Sequence, residues 1–250
     1  MKTLVLDRGN STLFAGVLRD DKLLRSARIE GGCGAPTLRL MKLARGKVDR
    51  VALCSVVPNE TDRLVTWVKK TLAIEPAVLT PLADHGLKLA YRHPAELGAD
   101  RLANALGAAK LYPGRNVIVV DCGTATTLTL LRRDGCLLGG TIMPGVALWA
   151  DMLAQRTARL PAAELQWPRQ AVGRDTHAAL RSGILHGHTG AIRELIQQCR
   201  REAFGRASVV VLGTGGAVTH FNSQSLFTAL ELGLILHGLQ AFALRTFSHA

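Results

Sequence analysis

Two short segments of this 250-residue chain end an apolar run in aspartate and turn at once through glycine. They are Asp7-Arg8-Gly9, after Leu4-Val5-Leu6, and Asp121-Cys122-Gly123, after Val117-Ile118-Val119-Val120. A carboxylate held at a strand end can order a metal ion or its water. The glycine lets backbone N–H groups close on an anion, and nearby Asn, Ser or Thr side chains add donors. One such turn also describes an ordinary hairpin. Two copies, each followed by a second strand pattern and each opening a domain-sized segment, suggest a nucleotide whose phosphates touch both turns.

A third glycine segment, Gly213-Thr214-Gly215-Gly216-Ala217, follows the apolar run Val209-Val210-Val211-Leu212. It reads either as a tight strand-to-helix connection or as a loop along which an adenosine lies. Gly98-Ala99-Asp100-Arg101 opens an Ala- and Leu-rich helix pattern. A carboxylate in a first helical turn stays ionised beside the helix dipole and can accept a hydroxyl proton. The planar fork of Arg101 can pair with a substrate carboxylate. A helix cap with a surface ion pair is the plainer reading of the same four residues.

No Walker A loop, G-x-G-x-x-G fingerprint, G-x-S-x-G elbow or H-E-x-x-H occurs. The net charge of +12 comes from scattered residues and pairs such as Lys69-Lys70, Arg132-Arg133 and Arg200-Arg201. That pattern describes a basic surface and speaks against a nucleic-acid partner. Five cysteines without a C-x-x-C pair argue against a zinc site or disulfide framework and suit a reducing, cytoplasmic setting. The apolar stretch Leu226–Leu244 is broken by Glu231, His237 and Gln240, which reads as a buried helix and not a membrane span.

The elements that must position these residues follow from periodicity. Strands are expected at Leu4–Asp7, Thr12–Leu18, Val51–Val57, Val117–Asp121, Thr126–Leu131 and Val209–Leu212. Helices are expected at Glu60–Leu72, Ala95–Leu111, Thr176–Cys199 (as one or two pieces) and Leu226–Leu244. Val5 to Thr12 is similar to Val119 to Thr126, one domain length apart. This self-similarity predicts an α/β chain of two copies of one fold unit, residues 1–113 and 114–250, with the boundary near Pro113-Gly114.

In order along the chain, the two Asp-x-Gly turns, Gly98-Ala99-Asp100-Arg101, Gly139-Gly140-Thr141-Ile142-Met143-Pro144-Gly145 and Gly213 to Ala217 together resemble type III pantothenate kinases, also called the Bvg accessory factor family. Ser55-Val56-Val57-Pro58 and Leu232 to Leu239 are similar to that family too. The resemblance implies two ribonuclease-H-like lobes of the actin/sugar-kinase/Hsp70 superfamily with an interlobe nucleotide cleft, paired as a homodimer. It implies transfer of the ATP γ-phosphate to the 4′-hydroxyl of pantothenate, the first step toward coenzyme A. Asp7, Arg8, Gly9, Asn10, Ser11, Thr12, Leu13, Phe14 and Thr124 would bind ATP, with Asp7 orienting Mg²⁺. Asp100 would be the proton acceptor. Tyr91, Gly98, Ala99, Asp100, Arg101 and Thr176 would line the pantothenate site, and Asp121 would hold a monovalent cation, K⁺ or NH₄⁺.

Tyr91 also reads as a core aromatic, and Thr176 as a helix N-cap. Phe14 departs from the basic residue that many proteobacterial members carry. Arg8 reads either as a phosphate contact or as a solvent-facing cation. Asp151 to Arg169 reads as a loop or helix beside the dimer contact. Competing functions are a gene regulator without catalysis, another kinase or a polyphosphate phosphatase on the same fold, and a two-metal nuclease.

Overall fold

A computed structural model describes residues 1–31 and 38–248; Cys33 lies outside them. In chain order the elements begin with β1 (Lys2–Arg8), β2 (Thr12–Arg19), β3 (Lys22–Glu30), α1 (Leu38–Leu43), β4 (Arg50–Ser55), α2 (Pro58–Leu72), β5 (Ala77–Val78) and β6 (Lys88–Leu89). A 3₁₀ turn (Pro94–Glu96) leads to α3 (Ala99–Leu111), β7 (Asn116–Cys122), β8 (Ala125–Leu131), β9 (Cys136–Pro144), α4 (Val146–Arg156) and α5 (Thr176–Phe204). Last come β10 (Val209–Thr214), a 3₁₀ helix (Val218–Gln224), β11 (Ala229–Leu230) and α6 (Leu234–Ser248).

The chain divides into two units. The first holds Met1–Gly114, Asp134–Leu137 and Gly233–Ala250; the second holds Arg115–Arg133 and Leu138–Leu232. The last segment therefore groups with the first unit, unlike the simple halving expected from the repeat. In the first unit the strand order is β3-β2-β1-β4-β5, with β1–β2 and β2–β3 antiparallel and β1–β4 and β4–β5 parallel. The second unit carries the order β9-β8-β7-β10-β11, with β7–β8 antiparallel and β7–β10 and β10–β11 parallel. These are the same plan used twice. The first two residues of β9, which belong to the first unit, pair with β6.

Strand alternation sorts each core. In the first unit Val5, Phe14, Leu18 and Cys54 face the helices α3 and α6, packing with Leu102, Leu106, Leu236 and Leu239. Leu4, Leu6, Leu13, Ala15 and Leu53 face the other way, against Leu40 of α1 and Leu64 and Val68 of α2. In the second unit Ile118, Val120 and Leu128 pack on Val146 and Ala150 of α4 and Leu180, Ile184 and Leu185 of α5.

Several elements differ from expectation. α3 starts at Ala99, because Pro94 initiates a separate 3₁₀ turn closed by Leu97 N–H on the Pro94 carbonyl (3.1 Å). Leu226–Leu244 is not one helix. Thr228 N–H reaches the Val211 carbonyl (2.7 Å) and Glu231 N–H that of Gly213 (2.9 Å), so residues 229–230 join the sheet edge and α6 waits until Leu234. A 3₁₀ helix, not an α-helix, follows the Gly213–Ala217 segment. β3 was not expected. It is reached through Asp20 and Asp21, both with positive φ (47° and 66°), the two central positions of a tight hairpin that aspartate tolerates.

Candidate active site

Asp7 is the penultimate residue of β1, directly opposite Phe14 of β2, and Gly9 N–H closes the turn on the Thr12 carbonyl (3.0 Å). Asn10 and Ser11 stand exposed at its tip. Asp7 lies beside Cys54 in the parallel ladder, and the Cys54 thiol donates to Asp7 Oδ1 (3.3 Å). Burial pushes the Cys54 thiol well up. The charges of Asp7 and then Asp100, and the hydrogen bond to Asp7, act in the same direction. Both carboxylates thus act on one buried sulfur, which places Asp7 and Asp100 in a single electrostatic neighbourhood.

Arg8 points to the opposite face of the sheet. It is buried (4% exposed), with its Nε 3.3 Å from Glu60 Oε2 in the first turn of α2. Neither solvent nor the Asp7 face receives its side chain. Val56 N–H meanwhile caps the Arg8 carbonyl (3.0 Å), and the Ser55 hydroxyl accepts from Val57 N–H (3.0 Å), tying Ser55-Val56-Val57-Pro58 to the first turn.

Asp100 folds back over the start of α3, where its Oδ1 accepts from Arg101 N–H (2.8 Å). A Cβ on Gly98 would lie 2.4 Å from that same oxygen, so the carboxylate needs the glycine. Arg101 is buried, its Nη1 donating to the Tyr91 hydroxyl (2.7 Å) with the guanidinium 5.8 Å from the Tyr91 ring centre. Tyr91, Gly98, Ala99, Asp100 and Arg101 are therefore one assembly. Below it, α3 lies close on α6. Cβ atoms on Gly107 and Gly238 would fall 2.2 Å from the Leu234 carbonyl oxygen and 1.8 Å from that of Ala103.

The second unit repeats the first with one residue fewer in its turn. Gly123 N–H closes on the Ala125 carbonyl (3.0 Å), and Ala217 N–H caps the Cys122 carbonyl (2.9 Å) as Val56 caps Arg8. Gly215, with φ of +93°, packs so closely that a Cβ would lie 2.4 Å from Asp121 Oδ1. Gly145 donates to the Thr124 carbonyl (3.0 Å), and a Cβ there would strike the carbonyls of Gly123 and Thr124. Asp121 and Thr124 thus sit where three glycine loops meet. Thr126 pairs with His188 (3.1 Å), a ring fully enclosed by Trp149 and Phe221.

Thr176 is the first residue of α5 in the second unit. Asp175, not Thr176, caps that helix by accepting from Ala178 N–H (2.8 Å). Thr176 lines a groove of about 470 Å³ whose other walls are mostly apolar, among them Trp149, Leu153, Leu160 and Ile184. Sequence reasoning missed Cys54 and Arg28, which cross-strand register brings beside Asp7 and Phe14, and Glu60, which the packing of α2 brings to Arg8.

The strand plan and its duplication define an α/β chain with a sugar-kinase-like fold. Among solved structures, the fold is similar to a Campylobacter jejuni protein described as a Baf family transcriptional activator (TM-score 0.60, 19% identity, 99% of this chain and 100% of that one). It is also similar to a Listeria monocytogenes protein described as an N-acetylmannosamine kinase (TM-score 0.57, 14% identity, 99% and 100%). The type III pantothenate kinase family model matches residues 3–198. A type III pantothenate kinase of Legionella pneumophila is 35% identical over 96% of this chain and 98% of that one. This chain belongs to the type III pantothenate kinase family.

Proposed function

We propose that this chain transfers the γ-phosphoryl group of ATP to the 4′-hydroxyl of pantothenate, the first step of coenzyme A biosynthesis. The observation that carries the reading is the convergence of Asp7 and Asp100 around Cys54, with Tyr91 and Arg101 joined to the same turn. Phosphoryl transfer asks a protein mainly for positioning and charge. Backbone N–H groups from Asp7 to Phe14 receive the phosphates, and Thr124 contacts ATP. The Arg8 side chain braces that turn through Glu60. Asp100 accepts the proton as the 4′-oxygen bonds to the γ-phosphorus and the bond to the ADP oxygen breaks. Tyr91 and Arg101 receive the pantothenate carboxylate, and Thr176 contacts pantothenate.

Mg²⁺ binds through one or two carboxylates together with substrate phosphates and water, and a single half-buried Asp7 fits that demand. Bound with ATP, it neutralises phosphate charge. Asp121, half-buried with its Oδ1 against the Gly215 backbone, fits K⁺ or NH₄⁺. The apolar groove of α4 and α5, beside exposed Leu148 and Met152, supports a homodimer. No helix among the described residues is long and apolar enough to cross a membrane. Cys54, Cys122, Cys136 and Cys199 are free thiols, which suits the cytoplasm.

ADP release coupled to a dehydrogenase tests the reading, with ATP, Mg²⁺, K⁺ and pantothenate present. Turnover should require pantothenate and run faster in K⁺ than in Na⁺. Asp100→Asn should lower kcat by about 100- to 10,000-fold, the usual worth of a general base, with ATP affinity retained. Near-normal turnover of that variant would remove Asp100 as the base.

A further inference from the structure

One cation next to the first turn has no role in the scheme above. Arg28 lies on β3 directly across from Phe14 of β2, and Phe14 lies directly across from Asp7 of β1. Cys54 continues the row on β4. Four strands therefore contribute one lateral line, Cys54, Asp7, Phe14, Arg28, at the end of the sheet where the Asp7 turn opens. Directly opposed residues share a face. Phe14 and Cys54 pack with Ala99 and Leu102 of α3, so the shared face is the one on which Asp100 begins its helix. The opposite face takes Arg8, Leu13 and Ile29.

The Arg28 guanidinium sits 3.9 Å above the centre of the Phe14 ring. A guanidinium on an aromatic face keeps its N–H edge free for other acceptors while the ring fixes its plane. Arg28 is exposed and forms no ion pair among the described residues. Four other basic side chains of the unit are engaged elsewhere. Arg8 is turned onto Glu60, Arg101 onto Tyr91, Lys110 onto Asp21 and Gln240, and Arg25 onto the Arg45 carbonyl. Two strand spacings, about 10 Å, separate the Arg28 and Asp7 backbones, and the arginine leans over the residue between them. The result is an uncommitted, oriented, planar donor beside a glycine turn.

We propose that Arg28, steadied on Phe14, is a phosphate-binding residue of this active site, pairing with the terminal phosphates of the nucleotide. This deepens the kinase reading and rests on it. The guanidinium supplies positive charge from β3, with Phe14 as its platform. It binds the phosphate end of the nucleotide and leaves adenosine and pantothenate recognition to other residues.

A ligand ladder separates that role from a structural one. Affinities for adenosine, AMP, ADP and a non-hydrolysable ATP analogue are measured calorimetrically with Mg²⁺ for the wild-type chain, Arg28→Ala, Arg28→Lys, Phe14→Leu and Lys22→Ala. Lys22 is an exposed cation at the far end of the same strand, so it controls for net charge. Arg28→Ala should weaken the ATP analogue by about 10- to 100-fold, the worth of a charged hydrogen bond, and leave adenosine and AMP within about twofold. Arg28→Lys should recover part of the loss, Phe14→Leu should reproduce a smaller version of it, and Lys22→Ala should change nothing. In turnover, the KM for ATP should rise and the KM for pantothenate stay put. An equal loss for all four ligands, or none for the ATP analogue, overturns the assignment. Wild-type turnover with a flat ladder removes Arg28 alone. Wild-type protein without pantothenate-dependent ADP release sinks the kinase reading, and the binding ladder still decides Arg28.

Discussion

Gly98 lacks a side chain because the Asp100 carboxylate occupies the place where one would stand. Its φ of −59° suits any residue, so the constraint is space, not backbone strain. Gly98→Ala should push Oδ1 off the Arg101 N–H and misplace the proton acceptor. Turnover should fall about 100-fold, the usual result of a displacement near 1 Å, with folding stability within about 1 kcal/mol of wild type. Steady-state kinetics beside urea denaturation will check this; a variant with unchanged kcat would free Asp100 from the glycine. At this scale the sequence shows Asp7, Asp100, Asp121 and their glycines, because each is written beside its partner. Cys54, Glu60 and Arg28 are not legible, because their partners Asp7, Arg8 and Phe14 are distant in the chain and only strand register, or for Glu60 the packing of α2, joins them. The sequence offers Thr176 as a pantothenate contact and as a helix N-cap, and Asp175, one residue earlier, takes the cap.

The element that matters most to the substrate side is α3, and α6 holds it. Gly107 and Gly238 let the two helices touch backbone to backbone. Gly238→Ala would set a methyl group 1.8 Å from the Ala103 carbonyl oxygen, and backbone cannot step aside as a flexible side chain does. We expect a loss of about 1–3 kcal/mol, the usual cost of overpacking, together with reduced turnover as the Asp100 turn shifts. Gly190→Ala in α5 is the contrast. Nothing lies within 4 Å of its Cβ position, and the substitution should stabilise by about 0.5–1 kcal/mol through helix propensity. Equal effects in the two variants, read from urea midpoints, would refute the packing argument. The close approach also explains why Leu232 to Leu239 reads as a motif, although no catalytic side chain was found there. The start of α6 was less legible. A continuous apolar run has no period that separates a two-residue edge strand from a helical turn, and only pairing with β10 decides between them.

Over the whole molecule, the two units share a strand plan but bury different titratable groups, and these bound the pH range of stability. In the second unit His188 is sealed between Trp149, Phe221 and Thr126, and burial lowers it from 6.5 to about 4. Between those values the unfolded chain binds a proton that the folded chain refuses. Unfolding then takes up protons, so stability rises with pH from 4 to 6.5 and is complete above that. Cys122, in the same unit, has the opposite consequence. Burial and then the charge of Asp121 push it from 9.0 to about 12, so above 9 the unfolded chain releases a proton that the folded chain keeps, and stability falls. Cys54 in the first unit is raised in the same direction by burial and by Asp7 and Asp100. The thermal midpoint should therefore form a plateau between about pH 6.5 and 9, with an acid limb from His188 and an alkaline limb from the two thiols. Asp49, lowered by its hydrogen bond from Lys2 N–H, adds to the loss only below its usual 3.8. His188→Gln retains a hydrogen-bonding group toward Thr126 but no titration, so its acid limb should flatten between pH 6.5 and 4 while the alkaline limb stays. An acid limb of the same depth in that variant would assign it to other groups and remove the enclosed histidine as its cause.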